Sequence, residues 1–353
     1  MNAKILFFFF LTILVFYNCT PQPTLSVYSE KDPKDNYILK WEIYPETDNT
    51  IVDIYVSDND SVFPSSPTVT ANSNDYIAII KKDSDAMPFR KYFRIKINGA
   101  VSDVITNRFF EMDSIQNFRD IGGYTTADNK QMRWGKIFRS GALSRMTRHD
   151  SMELNTLGVK TIIDLRSEDV RRQRPYRYSA ENIVRLPIAK SGYSSIAQQI
   201  MEDRFLRGDA IIHTQDTYRD MVNNFTSQFA TFFDYLCNKD NYPVVFHCYL
   251  GKDQSGLATY FILKALDIPM ETIEEDYMAS GTGIDRAKLI RGADSLSESK
   301  QEALTMLTKT DLAYLRYAIS CIREKSGSVE AYMENELKIT PEKRQKLKDI
   351  LLQ

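Results

Sequence analysis

The hydrophobic pattern of this chain changes character near residue 113, and that change does most to limit what it can fold into. Before it, apolar residues alternate with polar ones. Leu39, Trp41 and Ile43 stand against Lys40 and Glu42, and Phe93, Ile95 and Ile97 against Arg94 and Lys96; Val52, Ile54 and Val56 repeat the pattern. A period of two marks half-buried antiparallel strands. The stretches between them, such as Asp48-Asn49, Ser57-Asp58-Asn59-Asp60 and Pro64-Ser65-Ser66-Pro67, are turn formers. Residues 24–112 are therefore predicted to form a small all-β sandwich of about six or seven strands. That segment holds neither histidine nor cysteine, so it reads as a spacer or docking module.

After the change, short β-branched or aromatic runs at 137–139, 161–165, 183–186 and 244–246 are separated by helical stretches. Thr147 with Asp150 can cap a helix reaching Leu157, with Gly158 as its stop. A long amphipathic helix is expected over residues 217–237, and others at 255–266, 311–325 and 340–352. The last opens on Thr340 as cap and Pro341 in the first turn. Strands interleaved with helices predict an α/β domain with a mostly parallel sheet over residues 115–353. The length of 353 residues suits two such domains.

Composition excludes several functions. A formal charge of −2 lacks the basic excess of a nucleic-acid binder. The four cysteines, Cys19, Cys237, Cys248 and Cys321, are too few for a disulfide scaffold and contain no CxxC pair for zinc. Cys237 and Cys321 sit in helical, apolar contexts and read as packing residues. His149 and His213 read as surface or local hydrogen-bonding residues, and no metal site is expected. The run Arg171-Arg172-Gln173-Arg174 reads as a solvated face.

Residues 1–19 are an address. Lys4 precedes an apolar run over residues 5–17, too short for a membrane span of about 20 residues. A positive start with a short apolar core is the pattern of an export signal. Cys19, followed by Thr20-Pro21-Gln22-Pro23, makes it resemble a bacterial lipoprotein signal. The resemblance implies cleavage of residues 1–18, a lipid anchor on Cys19 with a linker over 19–23, and a chain tethered to a membrane outside the cytoplasm. Phe16-Tyr17-Asn18 depart from the small residues such signals carry, which leaves an uncleaved anchor or plain secretion as alternatives.

The chemistry is concentrated in His247-Cys248-Tyr249-Leu250-Gly251-Lys252-Asp253-Gln254-Ser255-Gly256. A buried strand enters a tight loop that opens a helix. Such a turn aims backbone N–H groups inward and adds the helix dipole, which makes it a cradle for a phosphate. A cysteine at its base has its thiolate favoured by the same field and becomes a nucleophile. His247 can hold the loop, Lys252 adds a cation, and Asp253 offers a carboxyl that can protonate a leaving oxygen. Asp164, at the end of a neighbouring strand, is its rival as the acid. Arg139 and Arg166, also at strand ends, read as braces of the loop or of Asp164.

This stretch resembles the His-Cys-x-x-Gly-Lys-Asp-Arg-Thr/Ser-Gly loop of bacterial tyrosine/serine phosphatases, relatives of the dual-specificity Cys-dependent enzymes. Three more blocks resemble that family in order. They are Asn117-Phe118-Arg119-Asp120-Ile121-Gly122-Gly123-Tyr124, then Gly135-Lys136-Ile137-Phe138-Arg139-Ser140-Gly141-Ala142-Leu143, then Thr161-Ile162-Ile163-Asp164-Leu165-Arg166-Ser167. The N-terminal part is similar to fibronectin-III or immunoglobulin-like modules. The resemblance implies hydrolysis of a phosphorylated protein or small phosphomonoester through Cys248, without metal or organic cofactor. One departure is serious: the family places arginine six positions after the nucleophile, and this chain has Gln254. That arginine forks two charged N–H bonds onto the phosphate, whereas glutamine is neutral. Either Arg119, Arg139 or Arg166 reaches in, or turnover is slow, or the domain is a pseudophosphatase that only recognises phosphate.

Overall fold

The computed structural model describes residues 24–353, apart from residues 83–89, 145, 176–177, 191–192 and 291. The expected signal and Cys19 lie outside the described residues. The N-terminal part contains β1 (Thr24–Lys31), β2 (Tyr37–Tyr44), β3 (Ile51–Ser57), β4 (Val69–Asn72), β5 (Ile77–Ile80), β6 (Tyr92–Ile97) and β7 (Ala100–Val101). They pair into two antiparallel sheets, β1-β2-β5 and β4-β3-β6-β7. The inward residues of the alternating pattern meet between the sheets: Leu39, Trp41 and Ile43 of β2, Val52 and Ile54 of β3, and Phe93, Ile95 and Ile97 of β6. Trp41 is buried, and its indole N–H donates to the Ser73 carbonyl at 3.2 Å.

The remainder runs β8 (Arg119–Asp120), β9 (Ile137–Ser140), α1 (Arg148–Thr156), β10 (Thr161–Asp164), α2 (Glu168–Gln173), β11 (Asn182–Arg185), α3 (Tyr193–Met201), α4 (Arg207–Asn224) and α5 (Thr226–Leu236). It continues with β12 (Val244–His247), α6 (Asp253–Ala265), α7 (Met270–Ala279), α8 (Arg286–Leu289), α9 (Glu298–Thr308), α10 (Leu312–Ser326), α11 (Val329–Asn335) and α12 (Pro341–Leu351). Five strands form one sheet in the order β11-β10-β12-β9-β8. All neighbours are parallel except β8, which runs antiparallel to β9. An α/β domain with a mostly parallel sheet, preceded by a small all-β sandwich, is thus the architecture.

Alternation along the central strands feeds two cores. Ile137, Ile163, Val244 and Phe246 face a large cluster with α5, α6 and α10. Phe138, Ile162 and Val245 face the opposite side, where Leu154 of α1 covers them. Thr147 and Asp150 form a reciprocal capping box on α1, and Gly158 has φ of +63°. Thr340 caps α12 and Pro341 opens it. The single helix expected over residues 217–237 is instead two, α4 and α5, broken at Phe225 with ψ of 22°. The apolar pattern runs through the break because Tyr218, Met221 and Val222 before it and Phe229, Phe232 and Phe233 after it reach the same core.

The two parts are tied through buried polar contacts. Arg90, on the sandwich side, donates to the Asn107 carbonyl at 2.7 Å and pairs with Asp120 of β8. Asp120 also accepts the Gly122 and Gly135 N–H groups, each at 2.7 Å. The Trp134 indole donates to the Val104 carbonyl at 2.8 Å.

Candidate active site

Parallel register places Ser140, Asp164 and His247 side by side at the carboxyl ends of β9, β10 and β12. That edge is where ligands of open α/β sheets bind. Cys248 follows His247 and is 1% exposed. Gly251, at φ +71°, donates its N–H to Cys248 Sγ at 3.2 Å. A Cβ on Gly251 would stand 2.6 Å from both the Ser140 carbonyl carbon and the Gly141 nitrogen, so only glycine lets the loop press on β9.

The carbonyls of four consecutive loop residues are held on the outer side. Ala142 N–H donates to Tyr249 O at 3.0 Å. Asn117 Nδ2 donates to Leu250 O at 3.4 Å and Gly251 O at 2.9 Å. Arg139 Nη2 donates to Gly251 O at 2.9 Å and Lys252 O at 3.3 Å. In a planar trans peptide the N–H points opposite to the C=O. Holding these carbonyls outward therefore turns the N–H groups of residues 250–253 inward. Helix α6 starts with no side-chain cap, so its first-turn N–H groups add to the same concavity. The arrangement is an anion cradle with a thiol at its base.

Beneath it lies a buried charge cluster. Arg119 and Arg139 are both fully buried and share one carboxylate, Asp276 of α7, at 3.1 and 2.6 Å. Arg119 also bonds Asn117 Oδ1 and Ser280 Oγ, and Tyr124 donates to Asp276 Oδ1 at 3.1 Å. Burial alone would raise the Asp276 carboxyl, but Arg119 and Arg139 hold it well below the usual carboxylate range. Burial, followed by the neighbouring Arg119, pulls the Arg139 guanidinium down to about 10, still charged at neutral pH.

On the other flank, Arg166 clamps Asp164 through Nε at 2.9 Å and Nη2 at 2.8 Å. Burial favours the neutral acid, but the charge and hydrogen bonds of Arg166 outweigh it and keep Asp164 ionised. His247 Nε2 lies 3.6 Å from Asp164, and the ring also bonds the Cys248 backbone. Burial holds that imidazole neutral, at about 4. Lys252 is fully buried and points away from the cradle, donating to the carbonyls of Leu307 at 2.7 Å and Lys309 at 3.0 Å, at the C-terminal end of α9. Its ammonium is 3.4 Å from Asp253, which also accepts a bond from Tyr218. Tyr218 and Tyr277 are themselves 2.7 Å apart, hydroxyl to hydroxyl. Ser255 Oγ lies 3.5 Å from Cys248 Sγ. The Gln254 amide, 7% exposed as a residue, has no hydrogen bond among the described residues. Burial raises the thiols of Cys237 and Cys321 away from this site.

Sequence reasoning grouped Cys248, Tyr249 to Gly256, His247, Arg119, Arg139, Asp164 and Arg166, and the fold brings them together, except that the Lys252 ammonium, expected to face the phosphate, is turned to the end of α9 by the Leu307 and Lys309 carbonyls. It gave no role to Asn117, Asp276, Ser280 or the Tyr218–Tyr277 pair. Asp276 sits in an unremarked Glu-Glu-Asp-Tyr run, so only the tertiary contact reveals it. His149, read as a surface or local hydrogen-bonding residue, is exposed and stands 3.5 Å from Asp113 and near Asp150. Both Asp150 oxygens already accept N–H groups, from Asp113, Ser114 and Thr147, in the turn before α1.

The sequence pattern of the tyrosine phosphatase family matches residues 110–353, and the chain belongs to that family. It is 26% identical over 235 residues to a Cupriavidus necator protein named provisionally as a tyrosine-protein phosphatase, covering 64% of this chain and 83% of that one. It is also 26% identical over 265 residues to the triple specificity protein phosphatase PtpB of Mycobacterium tuberculosis, covering 64% and 92%. Among solved structures, the catalytic core of the PP-IP phosphatase SIW14 from S. cerevisiae overlaps 52% of this chain and 86% of its own at 16% identity, with a TM-score of 0.24. P. aeruginosa TpbA overlaps 56% and 97% at 15% identity, with a TM-score of 0.23. The fold assignment rests on the sheet order and the family match rather than on these overlaps.

Proposed function

We propose that the chain hydrolyses phosphomonoesters, of the phosphotyrosine or phosphoserine kind, through a Cys248 thiophosphate. The observation that carries this reading is the cradle of inward N–H groups closed on Cys248 Sγ by Gly251. In the first step the thiolate attacks phosphorus, the S–P bond forms, the P–O bond breaks, and Asp253 gives its proton to the departing oxygen. In the second step water attacks phosphorus, Asp253 takes the proton, and the S–P bond breaks to release phosphate and the thiolate. Asp253 is favoured as the acid because Asp164 accepts three N–H groups of Arg166 at 2.8–3.1 Å, a tighter hold than that of Lys252 on Asp253 at 3.4 Å. His247 holds the Cys248 backbone, and Arg119, Arg139 and Arg166 support the loop and its flank.

A second reading, a phosphate-recognition module without turnover, is favoured by one observation: Gln254 is neutral, and its amide has no hydrogen bond among the described residues. Turnover of p-nitrophenyl phosphate by the wild type, Cys248→Ser and Gln254→Arg decides between them. Hydrolysis by the wild type well above Cys248→Ser supports the enzyme. Equal rates for those two, with an active Gln254→Arg, establish the binding module.

The three-plus-four strand order supports reading residues 24–112 as a fibronectin-III or immunoglobulin-like spacer. Export and a lipid anchor on Cys19 complete the proposal, with the catalytic domain facing away from the cytoplasm. Mass analysis of the membrane fraction should find an acylated Cys19 at the new N-terminus, and an intact Met1 would refute the anchor.

A further inference from the structure

The buried charges around the loop can be counted. Asp164 is matched by Arg166, Asp253 by Lys252, and Asp120 by Arg90, one carboxylate to one cation each. His247 is neutral. The cluster under the loop is different: Arg119 and Arg139 face a single carboxylate, Asp276, and their remaining partners are neutral oxygens. The cluster thus keeps one positive charge in excess, away from water, where an uncompensated charge is costly. Among the described residues, Arg139 Nε lacks a hydrogen-bond partner. The same guanidinium reaches Ser255 Oγ at 3.5 Å, and Ser255 Oγ is 3.5 Å from Cys248 Sγ. With a lone pair of the hydroxyl oxygen turned to Arg139, its proton is directed to the sulfur.

We propose that the surplus cation of the Arg119–Asp276–Arg139 cluster is the counter-charge of the Cys248 thiolate and of the phosphate bound above it. It acts as a positioning group through Ser255 and the loop peptides, and it supplies part of the charge that Gln254 lacks. The inference rests on reading Cys248 as the nucleophile, but its test does not need turnover. The charged groups packed about the loop and its cluster include Arg119 on β8, Arg139 on β9, Asp164 and Arg166 beside β10, His247 on β12, Lys252 and Asp253 at the start of α6, Asp276 on α7, Arg174 over the Tyr249 ring, and Arg108 near Asp276. Only changes to the cluster alter its surplus.

The experiment is carbamidomethylation of Cys248 by iodoacetamide in the full chain, followed by peptide mass mapping at pH 6 and pH 9.5. Arg139→Met removes the surplus and is expected to lower the rate at pH 6 relative to that at pH 9.5 severalfold, because the thiolate loses its counter-charge. Arg139→Lys should restore most of it. Asp276→Asn raises the surplus to two charges and is expected to move the ratio the opposite way. A purely structural brace would give both neutralising changes the same sign. An unchanged ratio in a folded Arg139→Met, or a fall in Asp276→Asn, overturns the proposal. If Arg139→Met does not fold, Ser255→Ala decides, since the relay predicts a lower ratio there and an unchanged one refutes it. An inactive wild type whose ratio still responds in this way would separate failure of the phosphatase reading from failure of the charge argument.

Discussion

Gln254 shows how a single side chain can be visible in the sequence while its surroundings are not. Counting six positions from Cys248 finds the missing arginine, but the compensating cation comes from Arg139, 113 positions before Lys252 and linked to it by neither motif nor period. What ties them is the backbone of the loop, seen only in three dimensions. Gln254→Arg is expected to raise kcat/KM on p-nitrophenyl phosphate by about 10²–10³, the usual worth of one oxyanion donor. The two candidate acids also separate at this scale. Asp253→Asn should lower hydrolysis of phenyl phosphate, a poor leaving group, by about 10²–10⁴, and that of p-nitrophenyl phosphate by much less. Asp164→Asn should instead destabilise the fold, because it strands a buried Arg166. Comparing the two substrates in each variant, beside urea unfolding, checks both outcomes.

At the level of elements, strands and caps were readable because alternation and capping are local. Thr147 with Asp150, Gly158, and Thr340 with Pro341 are chemistry within a few residues. The break at Phe225 was not readable, since a helix end that keeps its apolar face on one core leaves no gap in the pattern. The end of β12 carries a pH dependence. His247 is held neutral in the fold at about 4, against an ordinary value of 6.5. Between those values the unfolded chain binds a proton that the native state refuses, so stability falls as pH drops from 6.5 toward 4. The loss should be on the order of 3 kcal/mol. Urea midpoints at pH 7 and pH 4.5 should show it, and His247→Gln should flatten the slope. Asp276 and Asp164, both held below their ordinary 3.8, act in the same direction, but only as pH falls below that value. Gly251→Ala should abolish phosphate binding while leaving the sheet intact, because its strain and contacts concern only the loop's approach to β9.

For the whole molecule, the change of pattern near residue 113 foretold two architectures but not how they join. The junction is a buried ion pair, Arg90 with Asp120, and no sequence signal pairs an arginine in one part with an aspartate in the other. Arg90→Met leaves Asp120 without its cation and should cost about 3–5 kcal/mol. The two tryptophans lie one in each part, so Trp41→Phe and Trp134→Phe backgrounds report the parts separately. One shared urea transition is expected for the parent and two distinct ones after Arg90→Met. The cradle has a similar dependence on distance. Asn117 and Arg139 reach loop carbonyls 134 and 112 positions away. A synthetic peptide of residues 244–265 should therefore show no affinity for phosphate. Two fragments divided between β11 and α3 should each be inert and regain phosphate binding on mixing, so that the ligand itself reports the reunion of the halves.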